Sequence, residues 1–175
     1  MTLSDVSIRP ERSGDETTIY EVNRLAFGRE SEPKLVDALR ASDCFIPELS
    51  LVAEQTGRIV AHVLFSRATI RTTGGEIPVL VLGPVAVLPE CQNRGIGSQL
   101  IEAGLEDARE MGERIVVLIG HPWYYPRFGF KPARPLGIEY PTPIRDEVFM
   151  VLELTPDALD DIHGTLALPP AFADV

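Results

Sequence analysis

Two short stretches of this chain hold residue types whose spacing suits chemistry. The first is "ECQNRGIGSQL", Glu90 to Leu100, in which Gly95 and Gly97 stand two apart between an apolar run and an amphipathic one. A helix that opens on such a turn offers unpaired backbone N–H groups and the positive end of its dipole, which together make an anion site. Neither glycine has a side chain, so phosphate oxygens can approach the main chain, while Arg94 adds a countercharge and Ser98 a hydroxyl. A few charge-assisted hydrogen bonds of roughly 1.5 to 3 kcal/mol each would hold a pyrophosphate. The second stretch is "GHPWYYPRFGF", Gly120 to Phe130, with His121, Tyr124 and Tyr125. A neutral imidazole accepts a proton near pH 7, and a phenol with an ordinary pKa near 10 can give one up. Either tyrosine could instead form an aromatic wall beside Trp123 and Phe128.

Two nucleotide readings of the glycine turn fail on the letters. A P-loop needs Gly-Lys-Ser/Thr after its glycine run, and here Gly97 leads into Ser98 and Gln99. A dinucleotide fold needs a third glycine at Leu100 and an acid after the next strand, where the sequence reads "IGHPWYY". A pyrophosphate on an acyl carrier, or a bare strand-to-helix corner, remain.

The elements that must position these stretches follow from periodicity and punctuation. "VSIRPE" alternates as a strand, and "SGDE" predicts a capping box with Ser13 as cap and Glu16 three positions on. The helix behind it carries Ile19, Val22, Leu25 and Ala26 as its apolar face and stops at Gly28. A second helix is predicted from Ser31, with Pro33 in its first turn and Leu35, Ala38 and Leu39 as its buried stripe. "LSLVAEQ", "RIVAHVLFSRATI" and "IPVLVLGPVAVL", joined through Thr56–Gly57 and Gly74–Gly75, read as an antiparallel meander. Gly83 and Pro84 inside its third strand predict a bulge or local opening of the sheet. A helix through Leu100, Ile101, Leu105, Ala108 and Met111, stopped at Gly112, and the apolar strand "RIVVLIG" then form a right-handed parallel crossover. "VFMVLELT" is the last strand expected.

Composition narrows the function classes. With 175 residues, 45% of them hydrophobic, and no linker, repeat or low-complexity tract, the chain is read as one domain over residues 1–175. A net charge of −10 and a pI near 4.7 repel polyanions, so nucleic acid is not an expected partner, and they favour cationic small molecules. The start "MTLSDVSIRP" has no cationic and apolar leader, and no run is long enough to span a membrane, so a cytoplasmic protein is expected. Cys44 and Cys91 read as reduced thiols, and no spacing suggests a metal site.

At this point the residues carry a family likeness. "QNRGIG" matches the Gln/Arg-x-x-Gly-x-Gly/Ala signature of the GNAT superfamily of acyl-CoA-dependent N-acyltransferases, and "YYPRFGF" resembles that family's tyrosine segment before its "GF" strand. "LGPVAVLPECQNRGIGSQLI", "GHPWYYPRFGFKPA" and "LPPAF" resemble the YhbS-like branch of N-acetyltransferases, so the likeness covers nearly the whole chain. It implies an α/β fold with a mixed central sheet, an antiparallel meander followed by a parallel β-α-β crossover, and helices on both faces. It also implies transfer of an acetyl or similar acyl group from acyl-CoA, acetyl-CoA being the co-substrate, to a primary amine on a small molecule or peptide. No metal is implied, and a homodimer is compatible with the likeness. In that frame Val85 and Val87 offer backbone groups to the pantetheine arm and acyl carbonyl, and the turn Gln92, Asn93, Arg94, Gly95, Ile96, Gly97 and Ser98 takes the pyrophosphate.

The resemblance places Tyr125, five residues before Phe130, where the family has the tyrosine that serves the CoA sulfur, with Tyr124 as its rival. The carboxylate that some members carry on the bulged strand, eleven residues before the glutamine of the turn, falls on Val81, and the asparagine seven residues before the tyrosine falls on Leu118. His121 is then the expected base, with Glu54, His62, Glu76 or water behind it. A non-catalytic acyl-CoA-binding or regulatory module is the alternative that the missing carboxylate keeps open. No motif identifies the acceptor.

Overall fold

The computed structural model describes residues 5–175, of Asp174 the backbone alone; the first four residues of "MTLSDVSIRP" lie outside the described residues. The elements run β1 (Val6–Pro10), α1 (Glu16–Phe27), α2 (Ser31–Arg40), β2 (Phe45–Gln55), β3 (Arg58–Thr72), β4 (Gly75–Val87), α3 (Ile96–Glu110), β5 (Ile115–Ile119), β6 (Lys131–Pro132), β7 (Ile138–Glu139), β8 (Phe149–Glu153) and β9 (Gly164–Ala167). The chain divides into two compact units, Met1–Ser66 with Gly83–Asp107 and Pro170–Val175, and Arg67–Leu82 with Ala108–Pro169. Strands β3 and β4 contribute residues to both.

In the first unit β1 lies antiparallel on β2, with Val6 opposite Gln55 and Pro10 opposite Leu51. β2 lies antiparallel on β3, with Ser50 opposite Leu64 and Val52 opposite His62. Thr56 and Gly57, both at positive φ (51° and 75°), make the tight turn between them, as a two-residue hairpin of primed type requires. Side chains alternate along β3, so His62 and Phe65 point to opposite faces. On the His62 side sits α1, whose Asn23 reaches the imidazole. On the Phe65 side sits α3, where a β-carbon at Gly104 would run into the fully buried Phe65 ring. The expected covering of both sheet faces is therefore present in this unit.

Four helix details differ from the sequence expectation. The cap of α1 is Asp15, not Ser13, and its carboxylate turns back to accept the Arg12 N–H at 2.8 Å, while Glu16 accepts the Gly14 N–H at 2.8 Å. On α1 the buried positions are Ile19, Val22 and Asn23, and Leu25 is 44% exposed. Positions 19, 22, 23 and 26 make the i, i+3, i+4, i+7 stripe and Leu25 falls off it; the polar Asn23 hid the register. On α2 the stripe is Glu32, Leu35, Val36 and Leu39, and Ala38 is exposed for the same reason. α3 buries Ile96, Leu100, Ile101, Leu105 and Ala108. It ends at Glu110, before Met111, because Gly112 (φ 86°) turns the chain away.

In the second unit the parallel pairing of the crossover joins Leu80 to Val116 and Val81 to Val117. Gly83 (φ 141°) and Pro84, linked by a cis peptide bond, follow two residues later, where Pro84 has no N–H to give to a ladder. β5 is antiparallel to β8, from Ile115 opposite Glu153 to Ile119 opposite Phe149, and β6 adds on β8. β9 pairs antiparallel with β3 at Thr69–Ala167, and β7 runs parallel to β9. The strand expected at "VFMVLELT" is β8, and the short β6 follows directly on the "GF" of the tyrosine segment; the short β7 and β9 had no sequence signal. No helix among the described residues is long and apolar enough to cross a membrane.

Candidate active site

The glycine turn has the backbone that an anion site needs. After a short 3-10 turn at Pro89–Cys91, Asn93 and Gly95 both take positive φ (63° and 81°) and α3 begins at Ile96. The N–H of Gln99 bonds to the carbonyl of Gly95 at 3.1 Å, so the turn ahead of it sits at the positive end of the helix dipole. Gln92, Asn93, Arg94 and Gly95 are exposed, Gly97 and Ser98 half-buried, and Ile96 is buried as the anchor of the helix. The amide of Gln92 donates to the carbonyl of Val87 at 3.0 Å. That bond ties the turn to the end of β4, a positioning role that the spacing of the motif alone did not reveal. On β4, Pro84 and Ala86 are buried and alternate with half-buried Val85 and Val87, so those two valines share the other side of the strand.

The second unit holds the aromatic segment. β5 ends at Ile119, and Gly120 bonds through its N–H to the Val148 carbonyl at 2.9 Å. The ring of Tyr125 lies against the main chain of Gly120, so that any β-carbon at 120 would overlap the ring edge. Tyr125 packs at 5.0 Å between ring centres from Tyr124 and at 6.1 Å from the buried Phe130. Burial, and after it the neighbouring Tyr124 hydroxyl, pushes the Tyr125 phenol up to about 12. A phenol so placed keeps its proton at neutral pH, which makes it a donor and not a base. Tyr124 has its own engagement: the Arg127 guanidinium lies 4.3 Å from its ring centre. His121 is exposed, and its carbonyl accepts the N–H groups of Tyr124 and Tyr125 at 3.1 and 3.4 Å. Gly120 is the residue that sequence reasoning missed here, since its reason is a ring five positions away.

The other base candidates are held elsewhere. Glu54 accepts from Arg9 at 2.8 and 2.6 Å, and Glu76 pairs with Arg71 at 3.4 Å on the β3–β4 hairpin. His62 is fully buried in a polar chain that the sequence did not show. Asn23 spends one amide proton on the Ile19 carbonyl (3.0 Å) and the other on His62 Nδ1 (3.2 Å), so Nδ1 is the acceptor and Nε2 carries the proton. Nε2 then donates to Ser50 Oγ at 2.9 Å, and Ser50 Oγ donates to Glu11, whose other oxygen accepts Arg40 Nε at 3.0 Å. Every donor faces an acceptor, with the serine between imidazole and carboxylate. In a nucleophilic triad the imidazole stands in the middle, so this arrangement activates no serine. Burial first, and the Arg40 charge second, push the His62 imidazole down to about 3. It is a neutral structural group out of reach of any substrate.

The chain is similar to known proteins over most of its length. The family described as "Acetyltransferase (GNAT) domain" matches residues 7–133. The uncharacterized N-acetyltransferase YjhQ of Escherichia coli K12 is 39% identical over 148 residues, 84% of this chain and 82% of that protein. YhbS of the same organism is 33% identical over 158 residues, 90% and 92% of the two chains. The crystal structure of E. coli YhbS in complex with CoA superposes with a TM-score of 0.89 at 30% identity, covering 96% of this chain and 92% of that one. A GNAT family acetyltransferase from Brucella melitensis in complex with acetyl-CoA superposes with a TM-score of 0.78 at 37% identity, over 95% and 97%.

Proposed function

The chain belongs to the GNAT acetyltransferase family, and from that premise we propose how its residues divide the reaction. It is an acyl-CoA-dependent N-acetyltransferase, with acetyl-CoA as co-substrate and an amine as acceptor. The observation that carries the assignment of the binding turn is the pair of left-handed residues, Asn93 and Gly95, directly before α3. Their conformation supports a cradle of N–H groups from Asn93 to Ser98 for a pyrophosphate, with Arg94 as countercharge. Gln92 holds this cradle to Val87, and the backbone of Val85 and Val87 receives the pantetheine arm. Residues 1–175 act as one acyltransferase domain.

Acetyl-CoA supplies the acyl group activated as a thioester; the chain supplies the proton movements. His121 takes the proton that the acceptor nitrogen sheds as its bond to the acyl carbon forms, and Tyr125 gives its phenolic proton to the sulfur as the carbon–sulfur bond breaks. Tyr125 arrives protonated at neutral pH, as a phenol does and as that role requires. The net charge of −10 favours an acceptor with positive charge.

Calorimetry with acetyl-CoA and with desulfo-CoA tests the binding half. Micromolar affinity, roughly 8 kcal/mol, is the expected result, and no heat from either ligand at millimolar concentration would end the assignment of the turn. CoA release with polyamines, amino acids, aminoglycosides and a free peptide N-terminus tests the chemistry. Binding without release on any of these amines would return the chain to the non-catalytic reading.

A further inference from the structure

We propose that Trp123 is a positioning residue that holds the His121 imidazole in the orientation its role as base requires; this rests on the assignment of His121 made above. A base must be kept within a few tenths of an ångström and 10–20° of its working geometry. An exposed histidine on a loop is by default free to change rotamer. The structure supplies restraint in two layers. The backbone of His121 is fixed because Pro122 confines the residue before it to extended conformations, and because the His121 carbonyl accepts both the Tyr124 and Tyr125 N–H groups. The side chain is fixed by Trp123, whose indole lies nearly parallel to the imidazole, with ring centres 5.1 Å apart and 18° between the planes.

Trp123 is 72% exposed, an expensive setting for the chain's only tryptophan if its task were to fill a core. Its other ring contact is edge-on to Tyr124 at 6.1 Å, and Tyr124 is edge-on to Tyr125 at 5.0 Å. The aromatic run therefore links the proposed base to the proposed acid through consecutive ring contacts. A stacked ring pair is worth enough to lock one rotamer against its alternatives, and losing it corresponds to roughly a three- to tenfold loss of rate.

Because both rings are exposed, the variants Trp123→Ala and Trp123→Phe should fold. The first test needs no acceptor: NMR of the His121 ring protons in the free protein. Stacking predicts an upfield ring-current shift in the native chain, lost in Trp123→Ala and largely kept in Trp123→Phe. Unchanged His121 resonances in Trp123→Ala would overturn the proposal. The second test is a double-mutant cycle on CoA release with the amine panel named above. Trp123→Ala should lower kcat roughly three- to tenfold near neutral pH, leave the KM for acetyl-CoA unchanged, and recover at high pH; Trp123→Phe should restore most of the rate. In the His121→Ala background the loss should vanish, whereas a loss that adds in full to that of His121→Ala rejects the coupling. Should the NMR shift behave as expected while His121→Ala leaves the pH–rate profile untouched, the base assignment fails and takes the catalytic use of Trp123 with it, the fault then lying in the base and not in the stacking.

Discussion

His62 makes the stability of this protein depend on pH in a way that one substitution can isolate. The imidazole is pushed from its ordinary 6.5 down to about 3 by burial and by the Arg40 charge. In the unfolded chain it titrates normally. Between those values the unfolded state binds one more proton than the folded one, so the stability that His62 confers is complete above 6.5 and is lost as pH falls through this window. Each pH unit is worth about 1.4 kcal/mol, so about 2 kcal/mol should be gone by pH 5 and about 5 kcal/mol by the lower end. His62→Gln removes the titration while its amide can still donate to Ser50 Oγ. Asn23 loses its acceptor, at a cost of about 1 to 3 kcal/mol at pH 7. Urea unfolding of both proteins at pH 7.5, 6, 5 and 4.5 gives the difference directly, and the carboxylates that also titrate, Asp15 among them, cancel between the two. The curves should converge toward pH 5. Two curves that stay parallel from pH 7.5 to 4.5 would show that His62 titrates in the folded protein as it does in the unfolded one, and its Nδ1 would then have to donate to Asn23 rather than accept from it.

Tyr125→Phe keeps the ring between Tyr124 and Phe130 and removes only the donor, so kcat should fall about 10²-fold with acetyl-CoA affinity unchanged; Tyr124→Phe should change the rate far less, and equal effects would move the acid to Tyr124. Gly120→Ala should displace the Tyr125 ring, at an overpacking cost of about 1 to 3 kcal/mol that lowers Tm by a few degrees; its kcat should fall with that of Tyr125→Phe, and an unchanged rate would mean that the ring position is irrelevant to transfer. Gly95→Asp places a negative side chain in the cradle and a β-carbon at φ 81°. Calorimetry should find acetyl-CoA binding abolished in a folded protein, whereas Arg94→Ala, whose exposed charge is screened by salt, should weaken it less.

What the sequence made legible is local. The turn at Asn93–Ser98 could be read because its backbone demands glycine and its helix follows at once. The hairpin at Thr56–Gly57 and the stop at Gly112 were legible for the same reason. The buried chain from Arg40 to Asn23 was not, because its links join residues 29, 39, 12 and 39 positions apart, and Asn23 reads as a surface residue until a partner histidine is placed above it. Gly120 was opaque in a different way: an absent side chain gives no signal until the ring that needs the space is known.

The proposal of His121 as base rests on the same contrast between strand and loop. Where some relatives are expected to carry a strand carboxylate, this chain has Val81, 7% exposed and paired with Val117. A lone carboxylate in that setting would be driven toward its neutral acid by burial, so restoring one there would disrupt the sheet before it supplied a base. Under the proposed mechanism, proton acceptance at neutral pH falls to a group outside the sheet or to water. The loop after β5 offers an imidazole in His121, at the cost of the rigidity a strand would have given. Pro122 and the stacked ring of Trp123 replace that rigidity, one acting on the backbone and the other on the side chain. On that proposal the effect of Trp123→Ala should appear in the pH profile of the rate and not in the binding of acetyl-CoA.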